Sequence, residues 1–373
     1  GGLELYDLES DPGERTERSA LEPERAKAMA ILLGETARAH GAMPSIDRRT
    51  GQPVPWPDEP DDRHPEAPPG MTWIPGGSFV MGTTDGYAEE RPPHLVTVDG
   101  FFMDTHEVTN AAFARFVDDT GYITVAERAP KAEDYPGAPA DMLVPASAVF
   151  TAPRTITDRN DISQWWSLVP GANWRHPEGP GSHIDDRMDH PVVHVAWEDA
   201  RAYADWADLA LPTEAQWEYA ARGGLEARTF AWGDDRTPDG NWMANTWQGV
   251  FPVENERLDG HTGTAPVGSY PANGWGLHDM TGNAWEWCAD WYSDDWYGRS
   301  GRENPTGPDV ETIVDRASPA GPRRITRGGS FLCAPGFCVR DRPAARMPVT
   351  PDSSLSHTGF RCVRPAQESA GTP

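Results

Sequence analysis

Lysine is almost missing from this 373-residue chain, with only Lys27 and Lys131 present, and acidic side chains outnumber basic ones 58 to 32 for a net charge of -26. Such a field repels a phosphate backbone, so nucleic acid is set aside as a partner. No apolar run reaches the length of a membrane-spanning helix, and the first residues carry no basic segment leading into an apolar core, so a soluble chain without a membrane partner is expected. Four cysteines are too few for a disulfide-built scaffold at this length. No internal repeat is found.

Gly and Pro are abundant at 37 residues each, and Trp is unusually frequent at 16. Pro and Gly interrupt helices and strands, while Trp fills irregular interior space, so a loop-rich architecture is expected. Residues 21–38 read as a short helix with Pro23 in its first turn, and 43–70 as an extended connector rich in Pro and acidic residues. Segments 71–82 and 94–98 read as short strands. Thr109 to Gly121 predicts a helix with Phe113, Phe116 and Val117 on one face, and Thr213 to Gly223 a helix opened by a Thr-x-x-Gln box. Val192 to Trp197 reads as a strand leading into a third helix from Glu198.

Two of the four cysteines stand five positions apart in Arg327-Gly-Gly-Ser-Phe-Leu-Cys333-Ala-Pro-Gly-Phe-Cys338. Thiols that close either form a disulfide or, as thiolates, hold a soft metal such as Cu(I). Structural zinc would need four ligands, and no partner Cys-x-x-Cys or His pair lies nearby in sequence. Cys288 and Cys362 sit in aromatic and apolar surroundings and read as packing residues.

From about Met71 to Arg364 the chain resembles the formylglycine-generating enzyme, or sulfatase-modifying factor, family. The resemblance rests on Trp174-Arg-His-Pro-Glu-Gly-Pro, Asp189-His-Pro-Val-Val-His-Val-Ala-Trp197, Leu211-Pro-Thr-Glu-Ala-Gln-Trp-Glu-Tyr219, Gly282-Asn-Ala-Trp-Glu-Trp287, Arg327-Gly-Gly-Ser330, the cysteine pair, Thr350-Pro-Asp-Ser-Ser354 and Gly359-Phe-Arg-Cys362. It implies an irregular α/β (α+β) fold related to C-type lectin-like domains, spanning 65–366, with 1–64 as an arm and linker and 367–373 as a tail. It further implies that Cys333 and Cys338 bind Cu(I), that Ser330 is the active-site serine, and that Trp285 walls the site. The reaction so implied uses O2 to turn the cysteine of a sulfatase Cys-x-Pro-x-Arg segment into formylglycine. Two alternatives are a noncatalytic lectin-like binding module and an oxidase acting on a different thiol. An iron-dependent sulfoxide synthase is disfavoured because no His-x3-His-x-Glu motif is present.

The resemblance also implies two structural Ca2+ sites, one at Asn245, Thr246, Asp259 and His261, the other at Asp279, Met280, Gly282 and Ala284, with His261 and Met280 acting through carbonyls. Three departures stand out. Ala334-Pro-Gly-Phe337 replaces the family's His-x-Ser-Tyr, Asp341 stands where an aromatic is common, and Ala204 stands where a cysteine would pair with Cys362. The last favours a reducing compartment, so a cytoplasmic location is expected, with a secreted or periplasmic one left open, and a monomer is expected. His357, in a loop, is a further residue able to reach the site. Residues 5–14, Leu5-Tyr-Asp-Leu-Glu-Ser-Asp-Pro-Gly-Glu14, resemble the closing segment of sulfatases, which suggests a fragment of a sulfatase fused to its own maturase, or a gene boundary inside such a fusion. Cys333-Ala-Pro-Gly-Phe337 has Phe where the substrate motif requires Arg, so modification within the chain is not expected.

Overall fold

The computed structural model describes residues 67–139, 142–315, 318 and 321–365. The expected helix at 21–38, the arm over 1–64 and the tail at 367–373 lie outside the described residues, as does most of the connector.

Proline and glycine cut the opening of the described chain into short strands. Pro75-Gly76 separates β1 (Met71–Ile74) from β2 (Gly77–Met81), and Asp99-Gly100 separates β3 (His94–Val98) from β4 (Phe101–Asp104). β2 and β3 pair antiparallel from Gly77 opposite Val98 to Met81 opposite His94. Their inward positions, Phe79, Met81, Val96 and Val98, alternate with exposed ones as a half-buried ribbon requires. β4 is the middle strand of a sheet with β1 on one side and the last described strand, β11 (Val363–Pro365), on the other.

Three helices follow, two of them where the capping chemistry predicts them. In α1 (Asn110–Thr120) the Thr109 hydroxyl accepts from the Ala112 amide at 3.2 Å, and Gly121 closes the helix in the left-handed conformation. In α3 (Glu214–Arg222) Thr213 and Gln216 cap each other reciprocally, and Gly223 ends the helix at φ 56. α2 (Trp197–Trp206) begins one residue earlier than expected. The strand expected over Val192–Trp197 does not form. Pro191 makes an isolated bridge to Thr109, Val192 donates to Val108 O and His194 to Leu355 O, and His194 sits at φ 61, a conformation that breaks an extended run.

The remaining strands build two more layers. β5 (Ala146–Phe150) and β6 (Trp166–Pro170) pair antiparallel. β7 (Trp285–Trp291), β8 (Arg324–Arg327), β9 (Arg346–Val349) and β10 (Thr358–Gly359) form a sheet ordered β10-β7-β8-β9, in which β10 runs parallel to β7. A single turn, α4 (Trp296–Arg299), follows β7.

Strand β7 lies between two interiors. Cys288 packs into a core with Ile74, Phe79, Val96, Trp217 and Ile325, whereas Trp287 packs into another with Phe113, Phe116, Trp174, Tyr203 and Phe360. Cys288 and Cys362 are buried free thiols, and Cys362 shares its core with Ala204, so packing carries both residues. A third, purely aromatic and aliphatic cluster of Trp165, Trp247, Phe251, Phe331, Leu332 and Ala334 lies under the cysteine loop.

Candidate active site

Strand β8 ends in Arg327, whose fully buried guanidinium is held at 2.5 Å by Glu218 and at 3.1 Å by Glu214, both on α3. Glu214 also binds Arg346 of β9 at 2.7 Å, and Glu218 binds Arg222 at 2.6 Å. This interior network fixes where the following turn begins. Gly328 and Gly329 then take φ of 91 and 75, which side chains rarely adopt. A Cβ on Gly329 would lie 2.9 Å from Arg340 O, Asp341 N and Cys333 Sγ at once, so the turn requires glycine for space as well as for conformation.

The turn delivers Ser330 and the two cysteines. The buried Ser330 hydroxyl oxygen accepts from the Leu332 amide at 3.2 Å, and Ser330 O accepts from the Cys333 amide at 2.9 Å. Ala334 O accepts from the amides of Phe337 and Cys338, closing a tight loop through Gly336 at φ 80. The loop brings Cys333 Sγ and Cys338 Sγ to 3.3 Å as free thiols, with Cys333 buried and Cys338 partly exposed. Cys333 keeps its proton and shares it with Cys338, which pulls the Cys338 thiol down to about 7 while pushing Cys333 well above the usual range. Cys338 is therefore the readier thiolate of the two.

Phe337, where a phenol is common among the residues the chain resembles, is exposed on one side and stacks on Phe251 at 4.1 Å on the other, edge-on to Trp165 at 6.2 Å. Trp247 ties this floor to the loop by donating its amide to Cys333 O at 2.9 Å. Trp285 starts β7, buried, with its amide on His357 O at 2.8 Å. The His357 ring packs on Trp166 at 4.9 Å, and burial drives it down to about 3, so it is neutral at physiological pH. Phe331 lines a cleft of about 400 Å³ shared with Phe150, Ser356 and the 260–264 loop.

The two sets of residues expected to hold calcium lie on neighbouring loops. Asp259 Oδ2 accepts from the Thr246 amide and the Gln248 side-chain amide, at 3.2 and 2.7 Å, and Gln248 Nε2 also contacts Thr246 O. Thr246 O and Asp259 Oδ2 thus converge on the Gln248 side-chain amide, two oxygens of the roughly six to eight that calcium takes. His261 reaches this group through its amide, on Asp259 Oδ1 at 3.0 Å, whereas the Asn245 side-chain amide donates elsewhere, to Gly263 O at 2.9 Å and Asn283 Oδ1 at 3.1 Å. In the second set, Asp279 Oδ1 is buried without a hydrogen-bond partner, while Oδ2 accepts from the Gly268 amide at 2.6 Å. Gly282, at φ 82, lies so close to Asn245 O that a Cβ would stand 2.5 Å away, and Met280 O faces Gly328. Ala284 is fully buried.

Sequence reasoning missed Glu107. Its Oε2 is also buried and unpartnered, its Oε1 accepts from Asn283 Nδ2 at 3.0 Å, and burial together with the charge of Asp279 pushes its carboxyl well up. Two unsatisfied carboxylate oxygens that feel each other in the interior form a donor set suited to a hard cation. Glu107 stands 176 residues before Asn283, and nothing local in His106-Glu-Val marks it. Among the described residues no group of three or more His, Cys, Asp or Glu is gathered as a metal cage.

The chain matches the model of the sulfatase-modifying factor enzyme 1-like domain over residues 57–366. The chain belongs to the sulfatase-modifying factor family. A relative named formylglycine-generating enzyme from Mycobacterium tuberculosis is 52% identical over 292 residues, covering 78% of this chain and 96% of the relative. A mouse relative named inactive C-alpha-formylglycine-generating enzyme 2 is 38% identical over 312 residues, covering 82% and 87%. The solved structure of PvdO from Pseudomonas aeruginosa superposes with a TM-score of 0.54 at 24% identity over 79% of this chain and 94% of that one, a likeness of fold. The mixed, loop-rich α/β architecture is the one expected of the family. Among the described residues no helix is long and apolar enough to cross a membrane.

Proposed function

We propose that this chain is a formylglycine-generating oxidase that converts the cysteine of a sulfatase Cys-x-Pro-x-Arg segment to an aldehyde with O2, using Cu(I) held by Cys333 and Cys338. The observation carrying this reading is the pair of free thiols 3.3 Å apart on a glycine-built turn, one of them at the surface and biased toward thiolate. Two adjacent thiolates suit a soft monovalent metal and leave room for a third sulfur from substrate. Copper would supply the redox chemistry that couples O2 to oxidation of the substrate β-carbon.

The protein's own part is to bind and orient. Cys338, on the open side of the loop, faces the incoming peptide, and the exposed Phe337 ring offers an apolar platform for the proline of the motif. Ser330 accepts from Leu332, so its hydroxyl proton stays available to donate to an oxygen species at the thiols. The aromatic floor of Trp165, Trp247 and Phe251 limits water beneath the pair. Calcium at the two loops, with Glu107 added to the second set, would tie down segments that lack regular backbone pairing.

The existence of a similar chain named inactive gives weight to a second reading, a binding module without turnover. Incubating a Cys-x-Pro-x-Arg peptide with Cu(I)-loaded protein and O2, followed by mass spectrometry, separates the two. Conversion of the peptide cysteine to aldehyde, copper-dependent and lost in Cys333→Ser and Cys338→Ser, is the expected result. An unmodified peptide with copper bound would move the assignment to another thiol substrate, and no copper binding would move it to the binding module.

A further inference from the structure

Asp341 stands three residues after Cys338, and burying a carboxylate beside two thiolates is unfavourable unless something neutralises it. The neutralising group is Arg236. Both Asp341 oxygens are held by its guanidinium, Nη2 on Oδ1 at 3.2 Å and Nη1 on Oδ2 closer still, with the carboxylate almost fully buried and the guanidinium partly exposed. Arg236 itself rests over the Phe230 ring at 5.0 Å, and Phe230 stacks on Trp232 at 5.1 Å, so the cation comes from a braced loop.

The pair acts on a segment already pressed against the thiols. Asp341 N, Arg340 O and Cys333 Sγ each lie 2.9 Å from the position of a Cβ on Gly329, so the Asp341 backbone and the Cys333 sulfur share one contact point. On the same segment Val339 donates its amide to the Tyr87 hydroxyl at 3.3 Å, and Arg340 binds Glu89 at 2.5 Å while lying 3.8 Å over the Tyr87 ring. Of the two carboxylates paired on this segment, Asp341 is the one whose charge raises both thiols, while Arg340, paired to Glu89, lowers Cys338.

We propose that Arg236 and Asp341 are a positioning pair for the thiol site, in which the Asp341 backbone packs the segment carrying Cys338 against Gly329 and Cys333 while Arg236 cancels the Asp341 carboxylate's repulsion of the thiolates. The proposal rests on the copper reading for its principal readout, and it accounts for an acidic residue where an aromatic is common. A structural clamp and an electrostatic one differ in sign. Arg236→Gln exposes the thiolates to an uncompensated buried carboxylate and weakens Cu(I) affinity by about tenfold or more. Asp341→Asn removes that carboxylate and leaves affinity equal or tighter, and the double variant returns to within roughly threefold of the parent, since charge balance is restored.

Cu(I) affinity is measured by competition with a chromophoric chelator on the full chain, with circular dichroism and melting temperature followed in parallel. Single variants that both weaken affinity, or an Arg236→Gln variant that leaves it unchanged, overturn the proposal. Should the parent bind no Cu(I), the copper reading itself fails, and the rate of Cys338 alkylation in metal-free protein decides the pair's role. Arg236→Gln is then expected to slow alkylation while Asp341→Asn does not, and equal rates would overturn the proposal on that ground as well.

Discussion

His194 combines a left-handed backbone, complete burial and a hydroxyl partner. Ser147 Oγ donates to Ser354 O at 2.8 Å, so the imidazole Nδ1 at 2.7 Å is the donor to Ser147. Burial pushes this ring down to about 4, against 6.5 in an unfolded chain. Between those values the unfolded chain binds a proton that the folded chain refuses. The contribution of His194 to stability is complete above pH 6.5 and is lost as pH falls through about 4, by an amount of up to ~3 kcal/mol. His194→Asn keeps a residue that tolerates φ near 61 and removes the titration. Urea denaturation across pH 4 to 7 should then show the parent losing its advantage over the variant toward acid, and parallel curves would remove His194 as the cause.

At the scale of elements, the helices were legible because their determinants are local. Thr109, Thr213, Gly121 and Gly223 announce the ends of α1 and α3, and the Phe113 and Phe116 spacing announces a buried face. The strand expected at 192–197 failed because its apolar run belongs to a buried loop whose bonds go to Val108 and Leu355, partners that no local pattern reveals. The cysteine turn was legible for the same reason as the helices, whereas Glu107, Arg236 and the Phe251 floor were not, each meeting its partner across a long stretch of sequence. The buried network behind the turn is equally non-local, with Arg327 and Glu218 separated by 109 positions. Glu218→Gln leaves Arg327 and Arg222 in the interior without their shared counter-charge, and a loss of about 3–5 kcal/mol is expected in chemical denaturation. A loss under about 1 kcal/mol would mean that water enters and replaces the carboxylate. Because Arg327 immediately precedes Gly328, the same variant should also weaken the Cu(I) binding proposed for Cys333 and Cys338.

For the molecule as a whole, the excess of 26 negative charges makes bound cations a matter of stability as well as of local geometry. Glu107 and Asp279 bury unpartnered oxygens, and burial with the charge of Asp279 pushes the Glu107 carboxyl well up, so calcium bound there as proposed would stabilise the fold. Chelator treatment is expected to lower the melting temperature by roughly 5 °C or more, with recovery on adding Ca2+ at about a hundredfold excess over its dissociation constant. Glu107→Gln should reduce the Ca2+ stoichiometry measured by calorimetry. A melting temperature indifferent to chelator would remove calcium from this fold.

The placement of β4 between β1 and β11 carries a temporal consequence. A ribosome making this chain releases β1 and β4 early, yet the strand that completes their sheet is Val363–Pro365, roughly 260 residues later. The β4 edge must therefore stay open while the roughly 260 residues between it and β11 are made. The nascent domain is exposed to edge pairing and proteolysis for that whole interval, and a stop codon placed just before Val363 should yield a chain that is degraded rather than a slightly shortened enzyme.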